Sequence, residues 1–232
     1  MKRYVLKEYG SWGVMLMSFA AGLVVSRKLS GAVVAALFAL ALFINSKQAL
    51  TIWMRSRGSG RAIPATVFFA HLTIATALMV AVAGNDIMKF APYAVVPFAY
   101  ILCLILLGEH ALLTEVSGFM FLSLSSLMGR FAASGMIDPR LFLAVAVFFI
   151  AGVFKVRIQF RKEMRYRIMM IAYAAGSAVL YITFGLPLLL LVPLFDNILY
   201  ALILYRTGLS TTGWLEVSKG LAFLVLLAFS YV

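Results

Sequence analysis

Eight carboxylates stand against twenty basic residues in this chain, so the position of each acid is informative. Asp196 and Asn197 lie near the middle of an apolar run, in Leu191-Val-Pro-Leu-Phe-Asp-Asn-Ile-Leu-Tyr200. Pro193, three residues earlier, loosens a helix and frees a carbonyl there. An acid in such a run must be neutral, paired or hydrated. It either bonds a Ser, Thr or Tyr of a neighbouring helix or contacts a proton, cation or substrate. Glu115 sits about one turn inside another apolar run. A carboxylate at the bilayer centre costs roughly 2.5–3.5 kcal/mol, so Glu115 is expected to face a cavity or an ion-pair partner. Glu109 and Glu216 read as solvated helix ends.

The basic residues concentrate in two stretches. One runs Asn45-Ser-Lys-Gln-Ala-Leu-Thr-Ile-Trp-Met-Arg-Ser-Arg-Gly-Ser-Gly-Arg61. The other runs Lys155-Val-Arg-Ile-Gln-Phe-Arg-Lys-Glu-Met-Arg-Tyr-Arg167. Read as loops, they have two explanations. They hold the cytoplasmic side and rest on anionic lipid, or they form a basic mouth whose guanidinium groups grip phosphate in bidentate fashion. His71 and His110 fall in different apolar segments. A shared haem or metal would need equal depths, but His71 is about 12 Å below the mouth by helical rise. A buried histidine bonded to a neighbour is the simpler reading. Cys103 is the single cysteine, so one chain can form neither a disulfide nor a Cys-based metal site. No Walker loop, dinucleotide fingerprint, HExxH or Ser-His-Asp arrangement is present.

The elements that must position these groups are set by the solvent. The chain has 232 residues, 64% hydrophobic and 12% charged, with a mean hydropathy of +1.04. A soluble domain is about 45–50% apolar and about 25% charged. The expectation is an all-α membrane protein, one transmembrane domain over residues 1–232. Nine apolar segments are expected, at about 11–26, 30–46, 63–83, 91–108, 111–129, 139–154, 168–183, 186–204 and 214–231. The basic N-terminus reads as the cytoplasmic start of a retained first span.

Charge then orients the bundle. With the N-terminus inside, the inner segments hold Lys2, Arg3, Lys7, Lys47, Arg55, Arg57, Arg61, Lys155, Arg157, Arg161, Lys162, Arg165, Arg167, Arg206 and Lys219. The outer segments hold only Arg27, Lys28, Lys89, Arg130 and Arg140. This positive-inside bias supports an odd number of spans, in a cell-membrane protein with a cytoplasmic N-terminus and an outside C-terminus. The net charge of +12 is thus topological, and no nucleic-acid partner is expected.

The stretch from Lys7 to Gly22 resembles the opening of the YwiC-like membrane proteins, which runs Gln-His-Gly-Ala-Trp-Ala-Met-Leu and then Pro-Phe and a Gly. Gly10, Trp12, Met15, Leu16, Phe19 and Gly22 match, while the family's His is Tyr9 here and its Pro is Ser18. Thr114-Glu115-Val-Ser-Gly118 and Gly213-Trp214-Leu-Glu216 are weaker matches. The architecture is also similar to the UbiA-type intramembrane prenyltransferases, with nine helices and polar loops after helices two and six. That resemblance implies Asp-rich motifs that hold magnesium and a prenyl pyrophosphate. Here Asn45 is what remains of the first motif, and the second is basic throughout. Magnesium prefers carboxylate oxygens, so no cofactor is expected and any transferase would rely on Arg and Lys.

The expectation taken forward is a UbiA-like bundle that binds an amphipathic lipid with an anionic or quinone-like head, whether or not it modifies it. Arg57, Arg61, Arg157 and Arg161 would hold the head and Trp12 and Glu115 line the entrance, with Asn45 a further candidate contact. Two alternatives stay open. One is a transporter with Asp196, Asn197 and Glu115 as its polar path. The other is a non-catalytic subunit of a membrane complex, respiratory for example.

Overall fold

The computed structural model describes residues 8–56, 58–205 and 208–231. Every regular element among them is helical. The helices are α1 (Tyr9–Ser26), α2 (Ala32–Arg55), α3 (Ala62–Ala83), α4 (Val95–Leu107), α5 (Leu112–Ser123), α6 (Ser125–Ser134), α7 (Pro139–Arg161), α8 (Met164–Thr183), α9 (Phe195–Ile203) and α10 (Leu209–Ser230). Three 3-10 segments, Gly58–Arg61, Gly84–Ala94 and Leu188–Leu194, join some of them. Seven of the resulting rods are long and apolar enough to cross a bilayer: α1, α2, Ala62–Leu107, Leu112–Ser134, α7, α8 and most of α10. Leu188–Ile203 is shorter.

The two polar stretches are mostly helix, which corrects their reading as loops. α2 continues to Arg55, because Trp53 packs its ring against Phe68 and Phe69 of α3, with centroids 6.0 and 5.7 Å away. α7 continues to Arg161. Ile150, Phe154 and Ile158 recur at four-residue steps and carry one buried face past the first cations. Asp138 starts that helix by accepting from the amides of Arg140 and Leu141, with Pro139 in the first turn.

Ala62–Leu107 is bent rather than straight. Gly84 takes φ 54°, a left-handed value that favours glycine, and ends α3. Arg55 at the end of α2 then pairs with Glu109, just beyond α4. Since α3 leaves the end where α2 finishes, and α4 returns to it, the 46-residue rod folds back on itself.

The seam between α1 and α6 explains the opening motif. Met15, Phe19 and Gly22 are buried on one face of α1. A methyl group on Gly22 would collide with the Ser126 carbonyl and the Arg130 amide, and one on Gly129 with the Phe19 carbonyl. Backbones this close need small residues, and hydroxyls lace them: Ser125 donates to the Met15 carbonyl at 2.9 Å and Ser30 to Ala132 at 2.5 Å.

α1 and α10 run the same way. Tyr9 and Gly10 share a cavity wall with Thr212 and Trp214, while Arg27 reaches the Ala228 carbonyl at 3.2 Å. Their first turns therefore lie at one end of the bundle and their last turns at the other.

Candidate functional site

Two polar regions lie at the end of the bundle where α1 and α10 begin. The first rims a cavity of about 470 Å³ between α1, α2, α4, α5 and α7. Its walls are apolar, with Met15, Leu40, Phe43, Ile44, Phe119 and Leu122 among them. Its polar residues include Glu8, Ser11, Lys47, Glu109, His110, Thr114 and Glu115.

Each of its three carboxylates already has a cation. Lys47 meets Glu8 at 2.8 Å, Arg55 meets Glu109, and Arg157 meets Glu115 at 2.8 Å. Arg157 also donates to the His110 carbonyl at 2.6 Å. Burial pushes the Glu8 carboxyl up, but the bond and charge of Lys47 and the Ser11 hydroxyl outweigh it. The group is held below its ordinary range. The rim is therefore close to neutral, and His110 is exposed on it.

The second region is a charge cluster between α7, α9 and α10. Lys155 and Lys219 face Asp196 and Glu216 in a square in which each ammonium touches both carboxylates. Lys155 lies 3.1 Å from Glu216, and Lys219 lies 3.3 Å from Asp196 and 2.5 Å from Glu216. The Lys155 side chain is 1% exposed and that of Lys219 10%. Burial so complete is tolerable because the charges sum to zero and each is paired. Tyr205 donates to Asp196 at 2.5 Å; burial and that bond push its hydroxyl up to about 12. Asn197 accepts from Lys219 through its carbonyl oxygen, while its buried amide nitrogen has no partner. Glu216 also borders a second apolar cavity, of about 690 Å³, which opens between α1 and α10 beside Gly152 and Trp214.

The local sequence explains why the cluster forms. The switch from 3-10 to α-helix at Phe195, two residues after Pro193, places Asp196 in the first turn of α9, where the helix dipole favours an acid. Arg167 fixes the other end of α9 by donating to the Ala201 and Leu202 carbonyls at 2.5 and 2.7 Å.

The residues singled out in the sequence fall into two groups and several outliers. Glu115 and Arg157 come together as one ion pair. Asp196 and Asn197 belong to the separate cluster. Arg161 is exposed, 6.0 Å from the Tyr166 ring, which Arg157 and Arg165 also approach at 5.9 and 4.7 Å. Arg61 is exposed at the start of α3, Asn45 is half-buried on α2, and Trp12 packs with Met15 and Ile44. Arg57 lies outside the described residues. Lys155, Lys219 and Lys47 were not singled out. Among the described residues no three His, Cys, Asp or Glu side chains gather as a metal site.

No curated protein and no solved structure matches the chain. The family model described as YwiC-like protein matches residues 5–130, more than half of the sequence and the part that builds α1 to α5 and begins α6. With its long apolar helices and this match, the chain is a multi-pass membrane protein that belongs to the YwiC-like family.

Proposed function

We propose that this protein binds a neutral, quinone-like amphipathic lipid in the cavity between α1, α2 and α5, with the head at the polar rim and the tail along Phe43, Phe119 and Leu122. The observation that carries this reading is the pairing of all three rim carboxylates with cations. An anionic head would have to displace Glu115 from Arg157 or Glu8 from Lys47. A carbonyl or hydroxyl head needs only the hydrogen-bonding capacity left on His110, Ser11 and the carboxylate oxygens. The reading asks no prenyl-transfer chemistry of the chain.

The same proposal includes the topology. The whole chain acts as one transmembrane domain crossing nine times, with the Ala62–Leu107 rod crossing twice and Leu188–Ile203 once. The rim lies on the cytoplasmic side. The parallel course of α1 and α10 supports an odd count, and the charge bias supports the side.

The test is mass spectrometry of lipid that co-purifies with the native protein and with Leu122→Trp, which fills the cavity. An isoprenoid quinone should be retained by the first and lost from the second, with both monodisperse in detergent. Native protein without quinone, or equal retention by the variant, would end the proposal.

A second reading rests on the Lys155–Asp196–Lys219–Glu216 square: transport of a cation or small polar solute past Glu216. Uptake by proteoliposomes that disappears in Glu216→Gln would favour it over lipid binding.

A further inference from the structure

Arg27, Arg130 and Arg140 belong to the few basic residues that run against the charge bias, and the fold brings all three to one place. They line a cavity of about 550 Å³ at the end of the bundle opposite the rim, with Asp138, Ser230 and Tyr231. α1, the turn between α6 and α7, the turn after α8 and the end of α10 all meet there.

Among the described residues one carboxylate serves these three cations, and it is already occupied. One oxygen of Asp138 accepts the amides of Arg140 and Leu141 at 3.0 and 3.2 Å. The other meets Arg130 at 2.7 Å and the Tyr231 hydroxyl at 2.9 Å. That fills the roughly four acceptor sites of a carboxylate. The buried Arg130 Nε has no hydrogen-bond partner among the described residues. Arg27 donates only to the Ala228 carbonyl, and the guanidinium of Arg140 has no carboxylate partner among the described residues.

Arg27 caps the C-terminus of α1 at φ 51°, the left-handed conformation that Lys162 and Leu204 also take at the ends of α7 and α9.

We propose that this cavity binds a phosphate group, held by Arg27 and Arg140 with the free edge of Arg130. Guanidinium forks match phosphate geometry, and among the described residues the site has two more cations than carboxylates. The group comes from an anionic phospholipid or from soluble phosphate. The site shares no residue with the lipid cavity proposed above and stands whether or not that cavity holds a quinone.

The experiment uses the full chain in detergent. Inorganic phosphate binding is measured by calorimetry, and retention of phosphatidylglycerol over phosphatidylcholine by native mass spectrometry. At least one phosphate probe should bind the native protein. Arg140→Gln and Arg27→Gln should each weaken it roughly tenfold, with unchanged melting in probe-free detergent. Retention of phosphatidylglycerol that inorganic phosphate does not displace identifies the lipid source, and displacement identifies soluble phosphate. Binding of neither probe, or binding by both variants equal to that of the native protein, would overturn the proposal.

Discussion

The most apolar stretches of α7 and of the Ala62–Leu107 rod have almost the same mean hydropathy, 2.3 and 2.2, yet 78% of the first is buried against 11% of the second. In water, hydropathy separates core from surface. In a bilayer the outer face of a bundle is as apolar as its interior, so the same composition serves both. What distinguishes the central helix is the polar residues it carries. α7 holds two buried cations, Lys155 and Arg157, each matched by carboxylates from other helices. The rod's two charges, Asp86 and Lys89, pair with each other at 2.9 Å in its exposed 3-10 segment. Buried charge therefore marks the axis of this fold where hydrophobicity does not.

The sharpest way to break this comparison is to remove a central charge. Lys155→Met should leave Asp196 and Glu216 sharing Lys219, and destabilise the protein by roughly 3–5 kcal/mol. Adding Asp196→Asn restores one cation to one carboxylate and should recover a large part of that loss. Reversible unfolding in mixed detergent measures both, and a native-like Lys155→Met would mean that the square is not structural.

A smaller effect separates the two helices without touching charge. Ile158 on α7 is fully buried, whereas Leu106 on the rod is 70% exposed. Ile158→Ala should cost about 2–4 kcal/mol through the cavity it leaves. Leu106→Ala should stay within about 0.5 kcal/mol, since lipid fills the space. Equal losses in the same unfolding assay would show that the rod is covered by protein in its working state.

The smallest expected change is at the rim. Glu8 is held below its ordinary range, so its pairing with Lys47 stabilises the fold fully above the unfolded carboxylate value of about 4.3. That contribution is lost as pH falls through the lower folded value. With the Glu8 side chain 45% exposed, the amount is at most about 1 kcal/mol. Native protein should lose this increment over Glu8→Gln between neutral pH and the acid range, read as converging melting temperatures. A constant gap would assign the effect to another group.

Legibility in the sequence followed the same division. The ends of α3 and α8 were readable because Gly84 and Gly185 interrupt long apolar runs. Asp196 was conspicuous as an acid among Leu, Val and Phe. Its partners were not, because Lys155 heads a run of cations and Lys219 follows the acid Glu216, so both looked like topology signals. Only packing shows that Lys155 turns inward on the face defined by Ala151 and Ile158. The pairing of Arg157 with Glu115 was hidden for a related reason: 42 residues separate them, and each alone resembles a residue facing an aqueous mouth.

The parallel α1 and α10 have a consequence for how the chain is made. The cavity beside Glu216 is walled by the first helix and the last, from Tyr9 to Val217. At about 5–20 residues per second, the ribosome needs roughly 10–40 s to pass from one wall to the other. Once α6 has been made, α1 can dock on it, but its contact with α10 must wait. Lys155 likewise enters the membrane before Asp196, and before Glu216 and Lys219. Assembly of the centre therefore waits for α10, and a stalled chain ending before it would leave the Lys155–Asp196 pair without half of its square.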